Sequence, residues 1–209
     1  MSAIKAFIID LGGVLVELDI SLFFQDIYAP FPMSRPKTPF MLKFFKQSEK
    51  YHMGQMSDAD FYHLSCEILQ IKHSEISQAQ FFDAFNKIIS GINSEMVQIL
   101  RKIAQSKQYM LICLSNINQS HWDYLNAGCC DFLDYFDEII LSHHVSLLKP
   151  DQRIFKLAIE KAACKPQEII YIDDGIKNVK AAELLGIKGI IFQDASHLRK
   201  ELKKFGIKI

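Results

Sequence analysis

The chain has 209 residues, enough for one domain or for a domain carrying a modest insertion. Hydrophobic residues make up 49% and charged residues 23%, the proportions of a soluble globular protein, which excludes a largely disordered chain. The 24 basic and 24 acidic side chains cancel, so no net charge draws the chain to nucleic acid or to an anionic membrane surface. No apolar run approaches the roughly 20 residues of a membrane-spanning helix.

The first element is the run Phe7-Ile8-Ile9-Asp10, closed by Gly12-Gly13, which predicts a buried strand entering a turn. Its apolar stretch is too short for a signal peptide. The five cysteines are odd in number and lack CxxC spacing, with Cys129 and Cys130 adjacent, so neither a disulfide framework nor a zinc site is expected. Both features predict a reduced, cytoplasmic protein.

Residues 17–91 differ in composition. They hold ten of the 16 Phe and no Val between Val16 and Val97. Four of the six prolines, at 30, 32, 36 and 39, predict a loop. Ser57–Asp60 and Ser77–Gln80 each resemble a capping box opening a helix, followed at helical spacing by Phe61, Leu64 and Ile68 and by Phe82, Phe85 and Ile89. The stretch is expected to be a small helical domain with an aromatic core, inserted after the first strand.

Beyond it, Met96, Leu100, Ile103 and Ala104 share a helical face. Tyr109–Leu114 is a second strand ending in Ser115-Asn116, and Glu138–Leu141 is a weaker strand signal. A helix carrying Ile154, Leu157, Ala158 and Ala162 follows. Ile169–Ile172 runs into Asp173-Asp174-Gly175, a helix from Ile176 to Leu185 stops at Gly186, and Gly189–Phe192 is a last strand. Continuous apolar strands alternating with helices predict a parallel sheet covered on both faces.

In such a sheet, ligands bind beyond the carboxyl ends of the strands. The residues there are Asp10, Ser115, Asp173 and Asp174, joined by Lys149 in the loop before a helix. Crowded carboxylates need a cation, and an all-oxygen donor set points to Mg²⁺ rather than zinc. The hydroxyl and ammonium can then hold an anion, and a carboxylate beside a held phosphate can act as nucleophile. Taken singly, each of these residues is an ordinary turn, cap or loop residue; their order and common position carry the expectation.

Asp10-Leu11-Gly12-Gly13-Val14, Ser115 at a strand end, Lys149-Pro150 and Ile172-Asp173-Asp174 resemble, in order, the four motifs of the haloacid dehalogenase-like hydrolase superfamily. The resemblance covers essentially the whole chain, because 17–91 looks like the helical cap this family places between its first two motifs. Leu114–His121 and Asp173–Asn178 further resemble the bacterial sugar-phosphate phosphatase branch, which includes glucose-1-phosphate phosphatases. The resemblance implies that Asp10 is the nucleophile and a Mg²⁺ ligand, with the Gly12 carbonyl and Asp174 as further ligands. It makes Asp173 a direct or water-mediated ligand, and Asn178 a residue steadying the metal loop. It assigns phosphate binding to Ser115 and the Asn116 backbone, and to Lys149 the neutralising of Asp10 and the phosphoryl group.

One position departs from the pattern. Most phosphatases of the family carry a second acid where this chain has Gly12, and that acid protonates the leaving group. General acid–base help is worth about 10²–10⁴-fold. His52 is a candidate replacement, while His143-His144 is read as structural; His52, Gln55 and Arg35 are candidates for substrate contact.

The expectation is an α/β protein with a Rossmann-like core, residues 1–16 and 92–209, and an inserted helical cap, residues 17–91. Its expected activity is Mg²⁺-dependent hydrolysis of a small phosphorylated metabolite, a sugar phosphate, through an aspartyl-phosphate on Asp10. It is expected to act as a monomer or weak homodimer, without nucleic acid or membrane. The alternatives are a 2-haloacid dehalogenase using the same Asp10, and a silent binding or regulatory protein that lost its acid at Gly12.

Overall fold

The structure, a computed structural model, describes residues 3–28, 38–128 and 130–209. Pro30, Pro32, Pro36, Arg35 and Cys129 lie outside the described residues. In chain order the elements are β1 (Ala6–Ile9), β2 (Val16–Leu18), α1 (Ile20–Tyr28), α2 (Thr38–His52), α3 (Asp58–Leu69), α4 (Gln78–Asn86) and β3 (Ile89–Ile92). There follow α5 (Ser94–Ser106), β4 (Met110–Ser115), α6 (Gln119–Ala127), β5 (Glu138–Leu141), α7 (Ser142–Val145), α8 (Gln152–Ala162), β6 (Ile169–Asp173), α9 (Ile176–Glu183), β7 (Lys188–Ile191) and α10 (Ala195–Lys204). No helix among the described residues is long and apolar enough to cross a membrane.

Five strands form one parallel sheet in the order β5-β4-β1-β6-β7. The chain builds outward from β1 through β4 to β5, then returns to the other side of β1 for β6 and β7. The switch in direction opens a crevice at the carboxyl ends of β4, β1 and β6. The two-residue period of a strand divides the apolar runs between two cores. Phe7, Ile9, Leu111, Cys113, Ile170 and Ile172 face α5 and α10, while Ile8, Ile112, Leu114 and Tyr171 face α8 and α9. This is the Rossmann-like arrangement expected from the alternation of runs.

Helices α1–α4 enclose a third, separate core, built largely of aromatic rings. Phe61 lies at its centre: its ring stacks on Tyr51 at 4.2 Å between centroids and meets Phe85 at 5.2 Å and Phe44 at 5.8 Å. The capping box at Ser77 forms in full with Gln80. At Ser57 the hydroxyl caps the Asp60 N–H but is itself bound by the shorter Asp60 carboxylate, so the reciprocal half is not made. The proline cluster predicts loop through residue 39, whereas α2 begins at Thr38 and takes Pro39 into its first turn. A proline costs little there, because first-turn N–H groups have no intrahelical partner.

This helical unit meets the rest of the chain at the entry ribbon, at the end of α2, and where α4 packs on α6 with Ser120 Oγ donating to Asn86 Oδ1 at 2.8 Å. The chain enters and leaves it through an antiparallel ribbon pairing β2 with β3, and the boundaries expected at 16/17 and 91/92 both fall inside that ribbon. At the far end, the end of α2 docks on α7: Ser142 Oγ donates to the His52 carbonyl at 2.6 Å and Ser146 Oγ to the Met53 carbonyl at 3.1 Å. Gly54 makes this approach possible, since it has a φ of +65° and a Cβ there would stand 2.3 Å from the His143 carbonyl oxygen.

Truncating Phe61 to Ala removes the ring against which the other aromatics pack. The expected loss is about 3–5 kcal/mol of unfolding free energy, read by chemical denaturation followed by near-ultraviolet circular dichroism.

Candidate active site

Each central strand delivers one polar group to the crevice. Asp10 follows β1, Ser115 ends β4 and Asp173 ends β6. Their burial follows from their position, because the strands leading to them are enclosed except at half-buried Met110, where β4 begins. Lys149 arrives from the loop before α8 and stands between the carboxylates. Its Nζ lies 2.7 Å from Asp10 Oδ2, 2.7 Å from Asp173 Oδ2 and 3.0 Å from the Leu114 carbonyl. An ammonium has three N–H groups, and all three are used. Its side chain is 1% exposed; burial opposes its charge, but the two carboxylates outweigh that and hold its pKa above the ordinary lysine value.

The loop carrying Lys149 is held by Asn116. The Asn116 amide accepts from the Lys149 N–H at 2.8 Å and donates to the Lys149 carbonyl at 2.9 Å. The amide side chain of Asn116 thus positions the lysine.

The two adjacent acids of the fourth motif differ in their surroundings. Asp173 is fully buried and saturated with donors. Gly175 N–H at 2.7 Å and Asn178 Nδ2 at 3.0 Å reach one oxygen; Lys149 and the Tyr171 hydroxyl reach the other. Burial pushes its pKa up, but Lys149 and the remaining donors prevail and hold it below the usual carboxylate value. Burial, followed by the neighbouring charge of Asp173, raises the pKa of Asp174. Gly13, at φ +72°, leaves room for it: a Cβ there would lie 2.3 Å from Asp174 Oδ2.

Asp10, Asp173 and Asp174 offer carboxylate oxygens that all lie within 4.8 Å of one another. Burial is the largest influence on Asp10; Lys149 opposes it and Asp173 adds to it, and its pKa rises to about 7. Three carboxylates facing one ammonium are short of positive charge. Hard oxygen donors in this number suit a divalent ion such as Mg²⁺.

A cavity of about 190 Å³ opens beside this cluster, between the helical unit and the sheet edge. Gly12, Ser115, Asn116 and His52 all line it. Gln55, an exposed residue, is not among its lining. His52 is held in a defined state. Asn118 caps α6 by accepting the His121 N–H at 2.9 Å on Oδ1, which turns its amino group toward two imidazoles. That group reaches His52 Nε2 at 3.3 Å and His121 Nδ1 at 3.2 Å, so both ring nitrogens accept. Their other nitrogens donate to carbonyls, His52 Nδ1 to Ser48 at 2.9 Å and His121 Nε2 to Phe85 at 3.0 Å. Both rings are neutral, and burial lowers both pKa values, that of His121 to about 4. The one proton of His52 sits on Nδ1 and is held by the Ser48 carbonyl while Nε2 accepts, an arrangement that speaks against its candidacy as a replacement acid. His143 donates Nδ1–H to the Ile117 carbonyl at 2.8 Å and packs against the His144 ring.

The structure thus brings Asp10, Lys149, Asp173, Asp174 and Asn178 together, with Gly12, Ser115 and Asn116 at the mouth of the adjoining cavity. Sequence reasoning missed Tyr171 and gave Asn118 only as a position within Leu114–His121, without a role. Tyr171 stands two residues before Asp173 on the same side of β6, a period-two signal legible once the strand is assigned.

An acidic, lysine-bridged cluster at the switch point of a Rossmann-like sheet defines the class of the protein. A profile of the haloacid dehalogenase-like hydrolases matches residues 4–186, and the chain belongs to that family of hydrolases. It is similar to a HAD family enzyme from Bacteroides thetaiotaomicron crystallised with magnesium and inorganic phosphate, with 27% identity, a TM-score of 0.74, and coverage of 94% of this chain and 99% of that one. It is 22% identical over 211 residues to the D-ribitol-5-phosphate phosphatase of the same organism, covering 95% of this chain and 97% of that protein. Over 204 residues it is 26% identical to the drimenol cyclase drtB of Aspergillus calidoustus, covering 95% of this chain. The chain spans only 36% of the length of that curated relative.

The neutral histidine pair has a consequence for stability. His121 has an ordinary pKa of 6.5 when unfolded and about 4 when folded. Its contribution is present above pH 6.5 and is lost as pH falls toward 4, where the unfolded chain binds the proton first. Replacing His121 with Gln is expected to shrink the fall in unfolding free energy between pH 7 and pH 5 by on the order of 2 kcal/mol, measured by urea denaturation at both pH values.

Proposed function

We propose that the chain is a Mg²⁺-dependent phosphomonoesterase that hydrolyses a small phosphorylated metabolite through an aspartyl-phosphate on Asp10. The observation that carries this reading is the convergence of Asp10, Asp173 and Asp174 within 4.8 Å, bridged by Lys149. Asp10, Asp174 and the Gly12 carbonyl would hold the ion. Asp173, with its oxygens filled by protein donors, orients Lys149 and the metal loop and reaches the ion at most through water. When bound, Mg²⁺ supplies the positive charge that keeps Asp10 ionised and offsets charge on the phosphoryl oxygens.

Asp10 attacks phosphorus and the P–O bond to the leaving group breaks; with Gly12 in the place of an acid, the departing alkoxide takes its proton from water. Ser115 and the Asn116 backbone N–H hold the phosphoryl oxygens, and Lys149 offsets the charge of Asp10 and the phosphoryl group. Water then attacks the aspartyl-phosphate at phosphorus, releasing inorganic phosphate and regenerating the carboxylate. The helical unit, residues 17–91, acts as a cap that keeps bulk water from the acyl-phosphate until the alcohol has left. The reading includes a cytoplasmic setting, with the chain working alone or as a weak homodimer. A sugar phosphate as substrate draws support from the D-ribitol-5-phosphate phosphatase relative.

A haloacid dehalogenase would use the same aspartate on carbon and needs no ion, which leaves the three-carboxylate cluster without a purpose. Asp10→Asn is expected to lose at least about 10³-fold in phosphomonoester turnover, and Asp174→Asn to raise the Mg²⁺ requirement steeply. EDTA should abolish turnover and added Mg²⁺ restore it. Full activity of Asp10→Asn, or halide release from 2-chloropropionate in EDTA, would overturn the proposal.

A further inference from the structure

We infer that the site takes phosphate monoesters of apolar alcohols, with the hydrocarbon part lodged in the cavity between the helical unit and the sheet edge. The inference rests on the phosphatase reading and narrows its substrate class away from sugars. The cavity walls are Phe44, Phe45, Phe85, Ile88, Leu18 and Ile117, together with other aliphatic side chains. Its polar lining residues are Ser48, His52, Ser115, Asn116 and His121, and four of these are already committed to protein partners. Ser48 Oγ donates to the Phe45 carbonyl at 2.7 Å. Both nitrogens of His52 and both of His121 are engaged, as is the Asn116 amide on both its atoms. Ser115 stands at the phosphate end, beside Asp10.

A sugar in this cavity would trade water for walls that offer its hydroxyls few partners, and buried polar groups left unpaired weaken binding. A hydrocarbon gains roughly fourfold in affinity for each methylene buried. The size also fits: an apolar cavity of about 150 Å³ lined by Leu, Ile and Phe admits benzene, and this one is about 190 Å³. The position that carries an acid in most of the family is apolar here too. A Cβ on Gly12 would meet Leu18 Cδ1 at 3.0 Å, so an aliphatic side chain covers that place.

The test uses two six-carbon substrates of the same ester type, n-hexyl phosphate and sorbitol 6-phosphate, with Mg²⁺ and the full chain. With about three methylenes buried at roughly fourfold each, the expected kcat/KM ratio is roughly 50- to 100-fold in favour of the hexyl ester. Leu18→Asn, a change at a half-exposed strand residue, should reduce that ratio severalfold. Binding of n-hexylphosphonate and methylphosphonate, compared by calorimetry with Mg²⁺ present, separates the two claims. Preferred turnover of sorbitol 6-phosphate overturns the inference and leaves the phosphatase reading standing. Tighter binding of hexylphosphonate without turnover of either ester supports the apolar pocket and overturns the phosphatase reading. Equal binding of the two phosphonates overturns the inference whatever the turnover.

Discussion

One buried ammonium holds the site together. Lys149 Nζ touches a group at the end of each of the three central strands: Asp10 after β1, the Leu114 carbonyl in β4 and Asp173 in β6. Withdrawing an ammonium and two carboxylates from water costs several kcal/mol per ion unless every donor and acceptor finds a partner. Here each N–H has an acceptor, and the Asn116 amide pins the backbone that delivers it. Removing one member would leave the others charged and dry, so site geometry and fold integrity are coupled at this point.

The same accounting separates two acids that look equivalent on paper. Asp173 receives Lys149, Tyr171, Asn178 and the Gly175 N–H. Asp174, one residue later, lies beyond the strand end against Gly13 and is the exposed member of the cluster. Lone pairs already filled are not available to a metal; those of Asp174 and Asp10 are the more open. The proposed division between Asp173, which orients, and Asp10 and Asp174, which would ligate, rests on this difference in occupancy.

Across the crevice, a second polar network does the opposite work. Asn118 keeps His52 and His121 neutral and turned into hydrogen bonds with carbonyls. It links α2 of the helical unit to the start of α6 while leaving little polarity on the cavity surface. The two networks give the crevice two chemical ends, one charged and hydrogen-bonding, the other lined by Phe and Leu. A phosphate monoester of an apolar alcohol has the same two-ended character.

Much of this was legible in residue order. The apolar runs announced five parallel strands, because a strand buried on both faces cannot alternate with polar residues. Asp10, Ser115, Lys149 and Asp173-Asp174 announced the chemistry, because their residue types and places after strands are local facts. The aromatic composition of 17–91 announced a separate core for the same reason. Tertiary structure alone decided which acid is saturated, what the amide of Asn116 does, and that His52 is neutral. Each of those depends on partners tens of residues away, such as Lys149 for Asn116 and Asn118 for His52. Sequence spacing records periodicity along an element, whereas the protonation and occupancy of a side chain are set by the groups that folding brings against it from elsewhere in the chain.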